Sequence, residues 1–307
     1  MSSIPSAELK TLNGHTGGPV HVCRFNNDGN YVLTGGHDKT VKLWNPNSGL
    51  CIKTYTGHGW EVLGLAVAHD NARFCSGGTD KSVILWDIGT GRIIRRFNGH
   101  FRKVNTVEFN ADATVIASGS YDATVRLWDA RAQSKIPIQI VEGPYGPKDD
   151  VTSLKIMGSE MLVGSVDGYI RNYDIRAGRI YADNIGSPVT SVQFSHDTNC
   201  ILASSLDGVI RLFDKSNGEL LADFKGHKNT SYRVPSCLTP TDAHVVSGSE
   251  DGRVVFWDLV DGKLVRELQQ SQEGRTVTAL DVQPVKDAAV PLVVSGSADG
   301  TVKVWGR

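Results

Sequence analysis

Apolar residues along this chain come in short runs, separated by clusters of Gly, Asp and Asn. Residues 23–58 show the pattern: CRFNNDGNYVLTGGHDKTVKLWNPNSGLCIKTYTGH. Runs of four or five residues rich in Val, Leu, Tyr and Phe read as strands, and the polar clusters between them read as turns. This segment predicts four strands, here called a to d: VCRF, YVLTG, VKLW and CIKTY. The pattern then repeats. The phrases GGHDKTVKLWN, GGTDKSVILWD, GSYDATVRLWD, GSVDGYIRNYD, SSLDGVIRLFD, GSEDGRVVFWD and GSADGTVKVWG each place an aromatic six residues after a turn aspartate. The aspartates are Asp38, Asp80, Asp122, Asp167, Asp207, Asp251 and Asp299, and the aromatics Trp44, Trp86, Trp128, Tyr173, Phe213, Trp257 and Trp305. Successive aromatics lie 42, 42, 45, 40, 44 and 48 residues apart. A fixed period of this length means a repeat architecture. Five units also place Gly five residues after the aromatic (Gly49, Gly91, Gly178, Gly218 and Gly262), as a tight c–d hairpin requires.

More polar positions obey the period. His15, His58, His100 and His227 each follow a Gly, 28 to 30 residues before a Trp, and a hydroxyl stands four positions before the aspartate at Thr34, Ser76, Ser118, Ser247 and Ser295. A catalytic carboxylate is needed once or twice, whereas this one recurs at a locked spacing seven times, so Asp80 and its counterparts read as structural. The Gly-His, Asp and Trp-Asp pattern resembles the WD-repeat β-propellers over essentially the whole chain. That resemblance implies an all-β ring of seven blades, each of four antiparallel strands, around a central channel. It also implies that His, Asp, hydroxyl and Trp form a hydrogen-bonded chain inside each complete blade: His15, Thr34, Asp38 and Trp44; His58, Ser76, Asp80 and Trp86; His100, Ser118, Asp122 and Trp128; His227, Ser247, Asp251 and Trp257. A buried Asp needs donors, and these residues supply them. Blades 4 and 5 lack the Gly-His, have Val163 and Ala203 at the hydroxyl position and Tyr173 and Phe213 for Trp; blade 7 has QEGRTV where Gly-His is expected.

The chain opens with LKTLNGH, which matches the d-strand ends IIRRFNGH and LLADFKGH, and stops after a c strand at VKVWGR. Residues 1–307 are therefore expected to form one propeller domain, with 1–8 as a short tail and 9–12 as the outer strand of blade 7. Such closure leaves no open ring end.

The 307 residues include 40% hydrophobic and 21% charged, the balance of a globular protein with a sizeable core, and no apolar run is long enough to span a membrane. Net charge is −1, which argues against a dedicated nucleic-acid binder and leaves RNA as an indirect contact through a partner. Five dispersed cysteines without a C-x-x-C pair, and no apolar leader segment, point to a reducing compartment. The G-x-S-x-G, H-E-x-x-H, Walker and Rossmann patterns are missing, so no catalytic residue, metal or cofactor is assigned. A channel-sited enzyme, or a small-molecule or RNA-binding propeller, remains the alternative; it would show singular His, Asp, Glu or Cys residues breaking the repeat at channel-facing positions.

Function is then expected on the loops held by the ring. The residues before the turn aspartates (His37, Thr79, Tyr121, Val166, Leu206, Glu250 and Ala298) share one face, where the loops leading into the blades add Trp60, Phe101, Arg102, Lys103, Tyr232 and Arg233. Aromatics and Arg dominate interface energetics, so Trp60, Phe101, Arg102, Lys103, Tyr121, Val166, Leu206, Tyr232 and Arg233 are the candidate partner-binding face. Two other features read as structural or as contacts: the long blade 3 excursion around Gly143–Pro147, and the basic edge GRIIRRFNGHFRK.

The phrases DGNYVLTGGHDKTVKLWNP, GHGWEVL, KVNTVEFN, GSVDGYIRNYDIRAG, DKSNGELLADFKGHKN and VVSGSEDGRVVFWDLVDG resemble the mitogen-activated protein kinase organiser family. That resemblance implies a non-enzymatic scaffold associated with kinase-cascade components and with spliceosomal factors in pre-mRNA splicing, working in cytoplasm and nucleus. The ring is expected to be monomeric.

Overall fold

A computed structural model of the chain describes residues 4–271, 274–285, 288 and 290–307. The period becomes seven separate four-stranded antiparallel sheets. Blade 1 comprises Val20–Phe25, Val32–Gly36, Thr40–Trp44 and Cys51–Thr56, each paired with the next. In blade 7 the strands Val277–Val282, Val293–Ser297 and Val302–Gly306 are completed on the outside by Ala7–Leu12, with Leu12 opposite Val302 and Ala7 opposite Gly306. The closing strand begins at Ala7, two residues ahead of its expected start at residue 9, because the ladder with Val302–Gly306 continues past Trp305.

The core lies between blades. Phe97, Val83 and Leu85 of blade 2 pack on Val104, Ile116 and Trp128 of blade 3, and at the closure Leu12, Val302 and Val304 pack on Val20, Val32 and Trp44. Glycines of strand b let blades approach: a Cβ on Gly77 would stand 2.6 Å from Val104 Cγ1 of the next blade.

A β-bulge opens strand a in six blades, between Val20 and Val22, Val62 and Gly64, Val104 and Thr106, Val151 and Ser153, Val189 and Ser191, and Val277 and Ala279. A bulge leaves one residue unpaired and re-aims its side chain. Here the unpaired residues are His21, Leu63, Asn105, Thr152, Thr190 and Thr278, and His21, Leu63, Asn105 and Thr278 line the channel. Blade 6 shows no such bulge among the described residues, and its strand a is reduced to Ser236–Leu238.

Candidate docking face and the chains that support it

In blades 1 to 3 the recurring polar residues meet. His58 Nδ1 lies 3.0 Å from Asp80 Oδ2, His58 Nε2 2.7 Å from Ser76 Oγ, and Trp86 Nε1 donates to the same Oγ at 2.8 Å. One arrangement of protons satisfies all of them: Trp N–H donates to the hydroxyl, the hydroxyl donates to His Nε2, and His Nδ1–H donates to the carboxylate. Blade 1 repeats this through His15, Asp38, Thr34 and Trp44 (3.0, 2.7 and 2.8 Å), and blade 3 through His100, Asp122, Ser118 and Trp128 (2.9, 2.8 and 2.8 Å). Asp80 also accepts from the Gly59 N–H at 2.8 Å and the Ser82 hydroxyl at 2.7 Å, which ties the loop leading into the blade to the b–c turn. Burial alone would raise the Asp38 carboxyl, but donation from His15 and Thr40 holds it at about 2; Asp80 and Asp122 are lowered in the same way. The glycine before the histidine has a packing reason. A Cβ on Gly57 would stand 2.7 Å from the Trp86 ring.

Blade 6 has all four residue types and does not join them. Trp257 Nε1 donates to the Lys225 carbonyl at 2.9 Å, Ser247 Oγ to the Gly248 carbonyl at 2.9 Å, and Asp251 pairs with Arg253 at 2.6 Å. Among the described residues neither ring nitrogen of buried His227 has a hydrogen-bond partner. The cause is the loop. Strand a follows His58 at Val62, but follows His227 only at Ser236, and Gly226 takes φ +112 away from the Trp257 ring. The longer loop has its own clamp: the Glu250 carboxylate accepts the backbone N–H groups of Thr230, Ser231 and Tyr232 at 2.7, 2.5 and 2.9 Å. Glu250 is thereby buried beneath the face on which its sequence position placed it.

The blades without Gly-His use other partners. Arg171 and Arg211 of strand c reach their own turn aspartates, Asp167 and Asp207, at 2.7 and 2.6 Å. In blade 7 Trp305 Nε1 donates to Ser295 Oγ at 2.6 Å, and that hydroxyl donates to Gln270 Oε1 at 2.5 Å. Tyr173 binds the blade 3 excursion through the Tyr145 carbonyl at 2.8 Å; within it, Gln139–Val141 is strand d and Gly143–Tyr145 a 3-10 turn. On the basic edge, Arg96 binds the Gly57 carbonyl at 2.6 Å and Arg95 the Ala132 carbonyl of the next blade, so both are structural contacts.

These supports hold a face of exposed aromatics. Phe101, Trp60, Tyr232 and Tyr121 are 76, 61, 60 and 44% exposed. Three of them have cations over their rings: Trp60 has Lys39 Nζ at 4.9 Å, Tyr121 has Lys103 at 4.9 Å and Arg102 at 5.7 Å, and Phe101 has Arg126 at 5.5 Å. Such contacts favour one ring orientation at about 0.5–1 kcal/mol each, and the rings remain exposed. Val166 and Leu206 are only partly exposed. Arg233 does not join Tyr232 on the rim; it turns into the channel, where its guanidinium donates to the Asn105 carbonyl at 2.9 Å. The channel walls around this still-exposed side chain, with Arg24 nearby, lower its pKa to about 10, which leaves it charged at neutral pH.

The channel opens on this face as a cavity of about 720 Å³, lined among others by His21, Glu61, Lys103 and Arg233. Its bulge residues mostly bind the next blade: Thr278 Oγ1 donates to the Val20 carbonyl at 2.5 Å, Asn105 Nδ2 to that of Val151 at 2.9 Å, and Thr152 Oγ1 to that of Val189 at 2.6 Å. His21 departs from this scheme. It is a singular histidine at a channel-facing position, the kind of residue that a channel site would show. Its Nε2 has no hydrogen-bond partner among the described residues, although Glu61 Oε2 is 3.5 Å away.

The family described as "WD domain, G-beta repeat" matches residues 6–45, 218–258 and 262–306, and that described as "Nucleolar protein 10-like, N-terminal domain" matches residues 61–237. Fold and repeat together define a WD-repeat β-propeller, a class of ring that generally binds other proteins. WD repeat domain-containing protein 83 of Xenopus tropicalis is 59% identical over 94% of this chain and 88% of its own length. The Homo sapiens protein of that name is 53% identical over 86% and 83%, and a Dictyostelium discoideum homolog 34% identical over 96% and 97%. The chain belongs to the WD repeat domain-containing protein 83 family. None of these relatives bears an enzyme's name, and among the described residues no helix is long and apolar enough to cross a membrane.

Proposed function

We propose that this ring is a non-enzymatic scaffold that docks partner proteins on the face carrying Trp60, Phe101, Tyr121 and Tyr232. The observation that carries this reading is the row of cation-backed, exposed aromatics from the loops of blades 1 to 3. Rigid aromatic anchors beside Arg and Lys are the residues on which interface free energy concentrates. Docking several partners on one ring raises their concentration relative to one another, and that serves a cascade or an assembly without any chemistry of the ring's own.

The partners we propose are components of mitogen-activated kinase cascades and of spliceosomal complexes, which places the protein in both cytoplasm and nucleus; this rests on the resemblance to the kinase organiser family. RNA enters through a partner, since the net charge of −1 gives no basic field. The test is quantitative mass spectrometry of proteins captured from native extract by the wild-type ring and by a folded Trp60→Ala/Tyr121→Ala variant, with and without nuclease. Kinase-cascade or splicing proteins held by wild type and lost by the variant, with nuclease irrelevant, support the reading. Equal capture by both rings contradicts it.

A further inference from the structure

We infer that His21, His37 and Glu61 form a binding site for a divalent transition metal ion of the zinc class at the mouth of the channel. Each offers one donor atom, and the three atoms lie within 4.8 Å of one another. His37 Nδ1 is 2.5 Å from Glu61 Oε1, and His21 Nε2 is 3.5 Å from Glu61 Oε2. A tetrahedral ion with ligand arms of 2.0–2.1 Å separates its donors by roughly 3.3 Å, so small side-chain rotations close the set. Two imidazoles and one carboxylate suit zinc, cobalt or nickel rather than magnesium or calcium, which prefer all-oxygen ligands.

The donors are held by three different elements. His21 is the unpaired bulge residue of an inner strand, His37 sits on the b–c turn of blade 1, and Glu61 ends the loop leading into blade 2. Gly18 makes room for the second donor, since a Cβ there would stand 2.7 Å from the His37 ring. His21 Nε2 has no hydrogen-bond partner among the described residues, so with the ring proton on Nδ1 its lone pair is available to an ion. The cavity of about 720 Å³ that His21 and Glu61 line is also lined by Lys103 and Arg233, and it leaves room for a fourth ligand. A neutral-imidazole pair with one carboxylate leaves a bound dication one positive charge in excess. These two cations disfavour further positive charge there, so the fourth ligand is water or an anionic group such as a partner's carboxylate.

The experiment uses untagged, chelator-treated full-length protein carrying Cys51→Ser, which removes an exposed thiol that would compete for metal. Co²⁺ is titrated by its ligand-field absorption, followed by competition with Zn²⁺. One equivalent should give the intense bands of a tetrahedral site and be displaced by one equivalent of Zn²⁺. His21→Gln, His37→Gln and Glu61→Gln should each weaken Zn²⁺ binding by 100-fold or more, beyond the ~10–100-fold typical of losing an outer-shell partner. His69→Gln, an exposed histidine outside the cluster, should bind as wild type. Circular dichroism verifies that each variant is folded. Absence of a saturable equivalent in the folded protein, or its persistence in all three cluster variants, overturns the assignment.

Discussion

Replacing Ser76 with alanine separates a working hydrogen-bond chain from residues that only resemble one. Ser76 Oγ is fully buried, receives the Trp86 indole N–H at 2.8 Å and meets His58 Nε2 at 2.7 Å. Alanine leaves both groups inside the blade without a partner. Each orphaned group costs about 1–3 kcal/mol, and removing the hydroxyl's own desolvation offsets part of this, so the expected loss is about 2–4 kcal/mol. Ser247 occupies the equivalent position in blade 6 and is equally buried, but no side chain among the described residues bonds to its hydroxyl. Its hydroxyl donates to the backbone carbonyls of Gly248 and Pro235, so Ser247→Ala should cost about 1 kcal/mol or less. Urea unfolding followed by tryptophan fluorescence and circular dichroism measures both, provided the two probes give one transition and m is unchanged. Equal losses for the two variants, or a larger loss for Ser247→Ala, would refute the distinction between the blades.

His227 is held at about 4 by burial, with Asp251 opposing. The unfolded chain takes up a proton near pH 6.5 and the folded one does not, so stability falls as pH drops from about 6.5 to about 4, by up to 1.4 kcal/mol per pH unit. His227→Leu should flatten that part of the pH–stability curve, and an unchanged slope would count against a buried neutral ring. Leu12→Ala removes a fully buried side chain where the first strand packs against the last blade. It should cost about 2–5 kcal/mol by thermal or urea unfolding; a negligible loss would mean that closure contributes little. Gly77→Ala places a methyl 2.6 Å from Val104 Cγ1 and should cost about 1–3 kcal/mol, whereas Gly143→Ala, with open space around its Cβ, would report only on its φ of +71.

The seven blades and the ring closure were legible because a blade is a local object: strand lengths, turn glycines and the Asp-to-Trp interval all fall within one period. The chains of blades 1 to 3 were legible for the same reason. Blade 6 misled because its residue types fit while the distance from His227 to Ser236 moved the histidine out of reach. In blades 4 and 5, where the Gly-His is missing, an Arg four residues after the turn Asp, Arg171 and Arg211, was a usable signal. Gln270, like the Glu250 clamp, acts on residues outside its own turn, and nothing in the period announces that. His21 was hidden differently. Whether a strand residue faces a channel depends on a bulge, and the bulge shows only in the pairing register.

Docking of partners on the aromatic face is best tested by hydrogen–deuterium exchange of the ring alone and in complex with a purified partner. Protection is expected in the loops around Trp60, Phe101 to Lys103, Tyr121 and Thr230 to Tyr232, with the outer strands such as Cys51–Thr56 and Ile93–Asn98 unchanged. Protection confined to the outer strands, or to the opposite mouth of the channel, would contradict it.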